Sequence, residues 1–165
     1  MNQNDNQNST IDNIDIEIQS IIDVYKSTFN FQLNDCYRWN PETRTVNYAK
    51  QSISEPKDVS AFLHELSHGI LEHEDFEYDV DLLRMEMQAW NLANELSIKH
   101  GVDFHEDYSQ SCLESYRVWI AERSTCPECD QTTLESAPQS YCCFNCSTSW
   151  KVSKQQMCQI QRRRL

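Results

Sequence analysis

The chain has 165 residues, 39% of them hydrophobic, and a formal net charge of −12, which allows one modest core, or a domain with a small metal-stapled module, but not two large domains. No apolar run approaches the length of a membrane span, and the first ten residues, MNQNDNQNST, lack the charged and apolar regions of a secretory signal, so a cytoplasmic protein with no membrane partner is expected. Residues 1–122 carry 8 Lys/Arg against 23 Asp/Glu, net −15, and residues 123–165 carry 6 against 3, net +3, so any affinity for phosphate backbones has to come from the C-terminal part.

Residues 1–10 are polar and Asn-rich and are predicted to be disordered. Ile11, Ile14, Ile18, Ile21, Ile22 and Tyr25 then recur at helical spacing. From Phe31 to Trp39 and from Thr43 to Ala49 the pattern is strand-like, with NPE at 40–42 as a turn, so a short hairpin is expected. Ser54 or Asp58 is placed to cap a second helix, Pro56 suits its first turn, and Val59, Phe62, Leu63, Leu66, Ile70 and Leu71 give it an apolar face through about His73. After the acidic stretch EDFEYD, read as a loop, a long helical pattern runs from about Val80 to Lys99 and stops near Gly101, and a further helix is predicted from Tyr108 to Glu122. Between Ser124 and Trp150 the period is lost and cysteines and turn residues dominate. The expected fold class is therefore α+β: a mainly helical domain over residues 11–122 with a short N-terminal hairpin, a small ribbon at 123–151 and a basic tail at 152–165.

HELSH at 64–68 fits the HExxH pattern of zincin-like metallopeptidases, whose spacing puts His64 and His68 one turn apart on the same helix face, within reach of one metal ion. Zn2+ suits imidazole ligands and brings the pKa of a bound water to about 7, where a neighbouring carboxylate, Glu65, can take its proton. A catalytic zinc takes a third protein ligand and keeps one position open, and the acidic region downstream offers Glu72, Glu74, Asp75, Glu77, Asp79, Asp81 and Glu86. In the helix after the loop, Leu82, Ala89, Ala93 and Leu96 form an inward stripe in which Glu86 is the carboxylate. In an antiparallel helix pair its level nearly matches that of His68. His100 is the rival ligand, about 21 Å further along a continuous helix. His73 is at the wrong offset for the longer HExxHxxGxxH motif and reads as a substrate-side or supporting group rather than a ligand, with ordinary helix-end solvation as the favoured alternative. His105 has no motif support, and Tyr78, Tyr108, Tyr116 and His73 are unranked candidates for stabilising an oxyanion.

The eight cysteines would suggest disulfides in a secreted protein; in a reducing compartment their spacing points to metal. CPEC at Cys126–Cys129 and CFNC at Cys143–Cys146 have the spacing of a four-thiolate zinc ribbon, a closed and hence structural site. Cys142 is an alternative to Cys143, while Cys36, Cys112 and Cys158 have no partner pattern and are expected as thiols. Two zinc ions per chain are expected, one catalytic and one structural.

HELSHGIL followed by EMQAWNLANEL resembles the ImmA/IrrE family of metallopeptidases over roughly residues 20–101. The resemblance implies zinc ligation by His64, His68 and Glu86, Glu65 as catalytic base, and a repressor-like DNA-binding protein as substrate. A C-terminal zinc ribbon is not part of that family's core pattern. A ribbon after an HExxH domain, with KHGVDF at 99–104, is similar instead to the SprT-like proteases, which would make His100 the third ligand and shift the substrates to proteins on DNA. The leading expectation is a site-selective endopeptidase acting on a protein partner, with weak nucleic-acid contact through the ribbon and Lys151, Lys154 and Arg162 to Arg164. The alternative is a non-catalytic adaptor whose ribbon binds its partner.

Overall fold

A computed structural model describes residues 16–49, 56–154 and 162–164; the calls on residues 1–10, Ile11, Ile14, Ser54 and Cys158 lie outside them. The described residues form a mixed α+β structure with four helices and two small sheets. By its internal contacts the chain divides into two compact units, residues 1–74 with 87–109, and residues 75–86 with 110–165.

In the first unit, residues 16–25 form helix α1, whose Ile18, Ile21 and Ile22 are buried. Strands β1 (Asn30–Asn34), β2 (Arg38–Asn40) and β3 (Thr45–Ala49) follow, and β3 lies between the other two, parallel to β1 and antiparallel to β2. The expected hairpin is the β2–β3 pair, turning through residues 41–44. The stretch from Phe31 to Trp39 differs from expectation, since it is two strands on opposite sides of β3. It breaks at Asn34, whose side-chain oxygen accepts from the N–H of Asp35 at 2.8 Å, a local bond that competes with strand continuation.

Helix α2 (Pro56–Ile70) packs on β2 and β3, with Val59, Phe62, Leu63 and Leu66 buried and Phe62 between the rings of Phe31 and Tyr48. It stops at Ile70 rather than His73. Glu72 adopts φ +54°, and the N–H of His73 returns to the carbonyl of His68 at 3.0 Å, a left-handed closing turn made without the usual glycine.

Helix α3 (Asp79–His100) has Leu82, Glu86, Ala89, Ala93 and Leu96 all buried, as the inward stripe predicts. Gly101 closes it at φ +68°, with the N–H of Val102 bonded to the carbonyl of Ser97. Helix α4 (Glu106–Ser124) starts where His105 Nδ1 accepts from the N–H of Tyr108 at 3.1 Å, which gives that histidine a capping role. No described helix is long and apolar enough to cross a membrane.

The cysteine segment adds β4 (Glu135–Ala137), β5 (Ser140–Cys142), β6 (Ser149–Val152) and β7 (Arg162–Arg164), ordered β4-β5-β6-β7. The arginines expected in a tail thus form an edge strand, whose backbone satisfies the outer edge of β6.

Gly69 is required by packing. A Cβ there would lie 3.0 and 3.2 Å from ring atoms of Trp39 and 3.3 Å from Phe29, and the indole cannot retreat easily because its Nε1 donates to the carbonyl of His73 at 2.9 Å. Gly69→Ala is expected to lower unfolding free energy by about 1–3 kcal/mol in chemical denaturation, the usual cost of overpacking.

Candidate metal centres

His64 and His68 come from successive turns of α2, and their Nε2 atoms are 3.1 Å apart with the rings nearly perpendicular. Glu86 of α3 completes the group: one donor atom from each of the three residues lies within 4.8 Å of the others, and all three residues are buried. Two imidazoles and a carboxylate form a donor set that fits a divalent ion such as Zn2+. His100, the rival third ligand, is placed elsewhere, its ring edge-on to Tyr25 at 5.7 Å. Burial and the neighbouring Lys99 ammonium both hold the pKa of His100 below the usual histidine value.

Other side chains fix the orientation of these groups. His64 stacks on Trp90 at 4.1 Å between centroids and 21° between planes, and Trp90 in turn meets the edges of Phe104 and Tyr108. His68 turns its other ring nitrogen, Nδ1, to Nδ1 of His73 at 3.0 Å. Were Nε2 of His68 to bind an ion, its Nδ1 would carry the proton and donate to Nδ1 of His73, which would then hold the tautomer and tilt of His68 as an outer partner. The closing turn at Glu72 makes this contact possible by folding His73 back.

Glu65, half-buried, accepts the backbone N–H of Trp39 at Oε2, 2.6 Å away. Through its main chain Trp39 holds Glu65, and through its indole it holds the carbonyl of His73. The sequence did not point to Trp39, because a main-chain donor leaves no residue-type signal. Trp90 did have a signal, lying four residues after Glu86 on the same helix face. Of the oxyanion candidates, Tyr108 packs on Trp90, whereas Tyr78 lines an apolar cavity of about 500 Å³ with Val80, Leu83 and Ile120.

The second centre gathers Cys126, Cys129, Cys143 and Cys146 within 4.8 Å. Sγ atoms of Cys126 and Cys146 are 3.6 Å apart and those of Cys129 and Cys143 3.5 Å, too long for disulfides and near the roughly 3.8 Å edge of a zinc–thiolate tetrahedron with 2.3 Å bonds. Cys143, not the exposed Cys142, belongs to the cluster. The two knuckles repeat one geometry: Asp130 N–H bonds to the carbonyl of Cys126 and Ser147 N–H to that of Cys143, with Asp130 and Ser147 both at positive φ. Burial pushes the Cys126 thiol up to about 11, while hydrogen bonds from Thr148 draw Cys146 down to about 6. Four cysteine sulfurs that converge in this way form a donor set for a cation, which would supply their common counter-charge. Cys36 is exposed and Cys112 half-buried.

The basic residues of this segment are partly engaged: Arg162 donates to the carbonyl of Thr125, Arg164 meets Glu128 at 2.8 Å and Lys154 pairs with Asp75. Lys151 and Arg163 stand opposite each other on exposed positions of β6 and β7. Comparison with protein-family models, curated proteins and solved structures finds no match.

His73→Ala is expected to weaken metal binding at the first centre about 10- to 100-fold, the usual effect of losing an outer partner, with the cysteine centre unchanged when both are titrated against a chelator. Were the four cysteines to hold a metal, stripping it with a strong chelator is expected to melt the segment around it, seen as loss of the fluorescence signature of Trp150, which stacks on Tyr141 at 5.3 Å.

Proposed function

We propose that the chain is a cytoplasmic zinc-dependent endopeptidase of zincin-like architecture, with His64, His68 and Glu86 holding the catalytic ion, Glu65 as general base and a second, structural zinc on the four cysteines. The observation that carries this reading is the convergence of two imidazole nitrogens and a carboxylate oxygen within 4.8 Å, beside a carboxylate that a main-chain N–H orients. When bound, the ion supplies Lewis acidity, which brings the pKa of a water in its open position to about 7.

Glu65 takes the proton of the attacking water and returns it to the departing amine nitrogen. Its Oε2 is held by Trp39, so Oε1 is the atom that carries the proton. Strand β2 is an edge strand, open to pairing with an extended peptide, and Trp39 within it holds Glu65 through its N–H. The resemblance to the ImmA/IrrE family supports a repressor-like DNA-binding regulator as substrate, and the acidic body of residues 1–122 is suited to attract a basic protein while repelling nucleic acid itself.

Glu65→Gln is expected to slow cleavage of such a protein by roughly 10²- to 10⁴-fold, the span of general acid–base contributions, while elemental analysis still finds two zinc ions per chain. Unaltered cleavage, or zinc at the cysteines alone, would sink the peptidase and leave the adaptor.

A further inference from the structure

Asp79, the first residue of α3, is 3% exposed, and Arg123, near the end of α4, is 1% exposed. Their charges meet through two bonds, Nε to Oδ2 at 2.6 Å and Nη2 to Oδ1 at 3.0 Å. The hydroxyl of Tyr141 donates to the same Oδ2, and Nη1 of Arg123 donates to the carbonyl of Ser153. The main chain of Asp79 is held as well: its N–H donates to Oε2 of Glu135 at 2.5 Å, and Oε1 of Glu135 accepts from the N–H of Gln139 at 2.8 Å. Behind this, Tyr141 stacks on Trp150, whose indole donates to the carbonyl of Arg123, and both rings share a buried cluster with Cys126 and Cys143.

A helix start leaves its first N–H groups without intrahelical partners, and a capping side chain ordinarily satisfies one of them. Here the segment that carries the cysteines grips both the side chain and the main chain of a single residue. Two grips on one residue fix the rotation of the helix and its axial position together. Glu86 lies seven residues on, about 10 Å along the axis and within about 20° of the same direction. Whatever sets Asp79 therefore sets Glu86.

We propose that Asp79, Arg123, Tyr141 and Glu135 form a positioning clamp through which the cysteine-bound metal controls the affinity of the first centre. The clamp holds α3 in the rotation that presents Glu86 to the ion. It rests on Glu86 being a ligand there, and its four residues act through Glu86 rather than on substrate. Filling the cysteine site first would then be a condition for the other centre to load tightly.

Cobalt titration of the full chain tests this, because thiolate charge-transfer bands report the cysteine centre and d–d bands the other. Tyr141→Phe keeps the ring on Trp150 and deletes only the bond to Asp79. It is expected to lower cobalt affinity of the first centre roughly tenfold, at the low end for outer-partner losses, with the cysteine centre and the circular dichroism unchanged. With protein substrate, kcat falls at limiting zinc and recovers in excess zinc while KM stays constant, a rescue that a general loss of fold would not allow. Affinity equal to wild type overturns the proposal. Should Tyr141→Phe fail to fold, Glu135→Gln removes charge from the main-chain grip alone, and unchanged first-centre affinity there is equally fatal. Glu86→Gln separates the two levels: if it abolishes first-centre binding while the clamp variants do not alter it, only the clamp is wrong, and if it too changes nothing, the assignment of the ligands has failed with it.

Discussion

Bringing the two imidazoles of α2 and the carboxylate of α3 together out of water is the constraint around which their neighbours are arranged. Ring nitrogens 3.1 Å apart and a buried carboxylate in the same group place three lone pairs together. A dication there would accept all three at once. The neighbouring residues then hold side chains still. Trp90 presses on the face of His64, His73 takes the outer nitrogen of His68, and Trp39 reaches both Glu65 and the carbonyl of His73. Gly69 lets that indole lie against α2.

Features that rest on repeating side-chain chemistry were legible in the sequence. The one-turn spacing of His64 and His68, the stripe from Leu82 to Leu96 that includes Glu86, the two CxxC pairs and the stop at Gly101 each follow from periodicity or residue type. What was not legible depends on backbone atoms or on long separations. Insertion of β3 between β1 and β2 is fixed by register and not by composition. The hold of Trp39 on Glu65 uses an N–H that any residue but proline possesses. The pairing of Asp79 with Arg123 spans 44 positions, and nothing in the neighbourhood of either residue marks it as buried. The left-handed turn at Glu72 was hidden because its residue type argues against that conformation.

The cysteine segment shows the same logic with fewer residues. Its buried cluster consists of Cys126, Tyr141, Cys143, Trp150 and Val152, little apolar surface for a self-sufficient core. Two of those five are metal-ligand candidates, so core and metal site are the same object. Asp130 and Ser147, at φ +57° and +61° without being glycine, add local strain at each knuckle, of order 1 kcal/mol or more apiece. Such turns persist where the surroundings over-determine them, and four convergent sulfurs with their backbone hydrogen bonds do so here.

The donors of the first centre differ in how much of the fold each requires. His64 and His68 are four residues apart on one helix, so forming α2 is enough to align them. Glu86 joins them only when α3 has found its place, because it lies eighteen positions beyond His68, past a turn and a loop. Affinity for an ion held there would therefore measure tertiary structure and not helix content, because two donors come with local order and the third comes with the placement of α3. A site divided in this way would bind weakly until α3 is held. This is the physical reason a clamp at Asp79, two turns before Glu86, can act on an ion that it never touches.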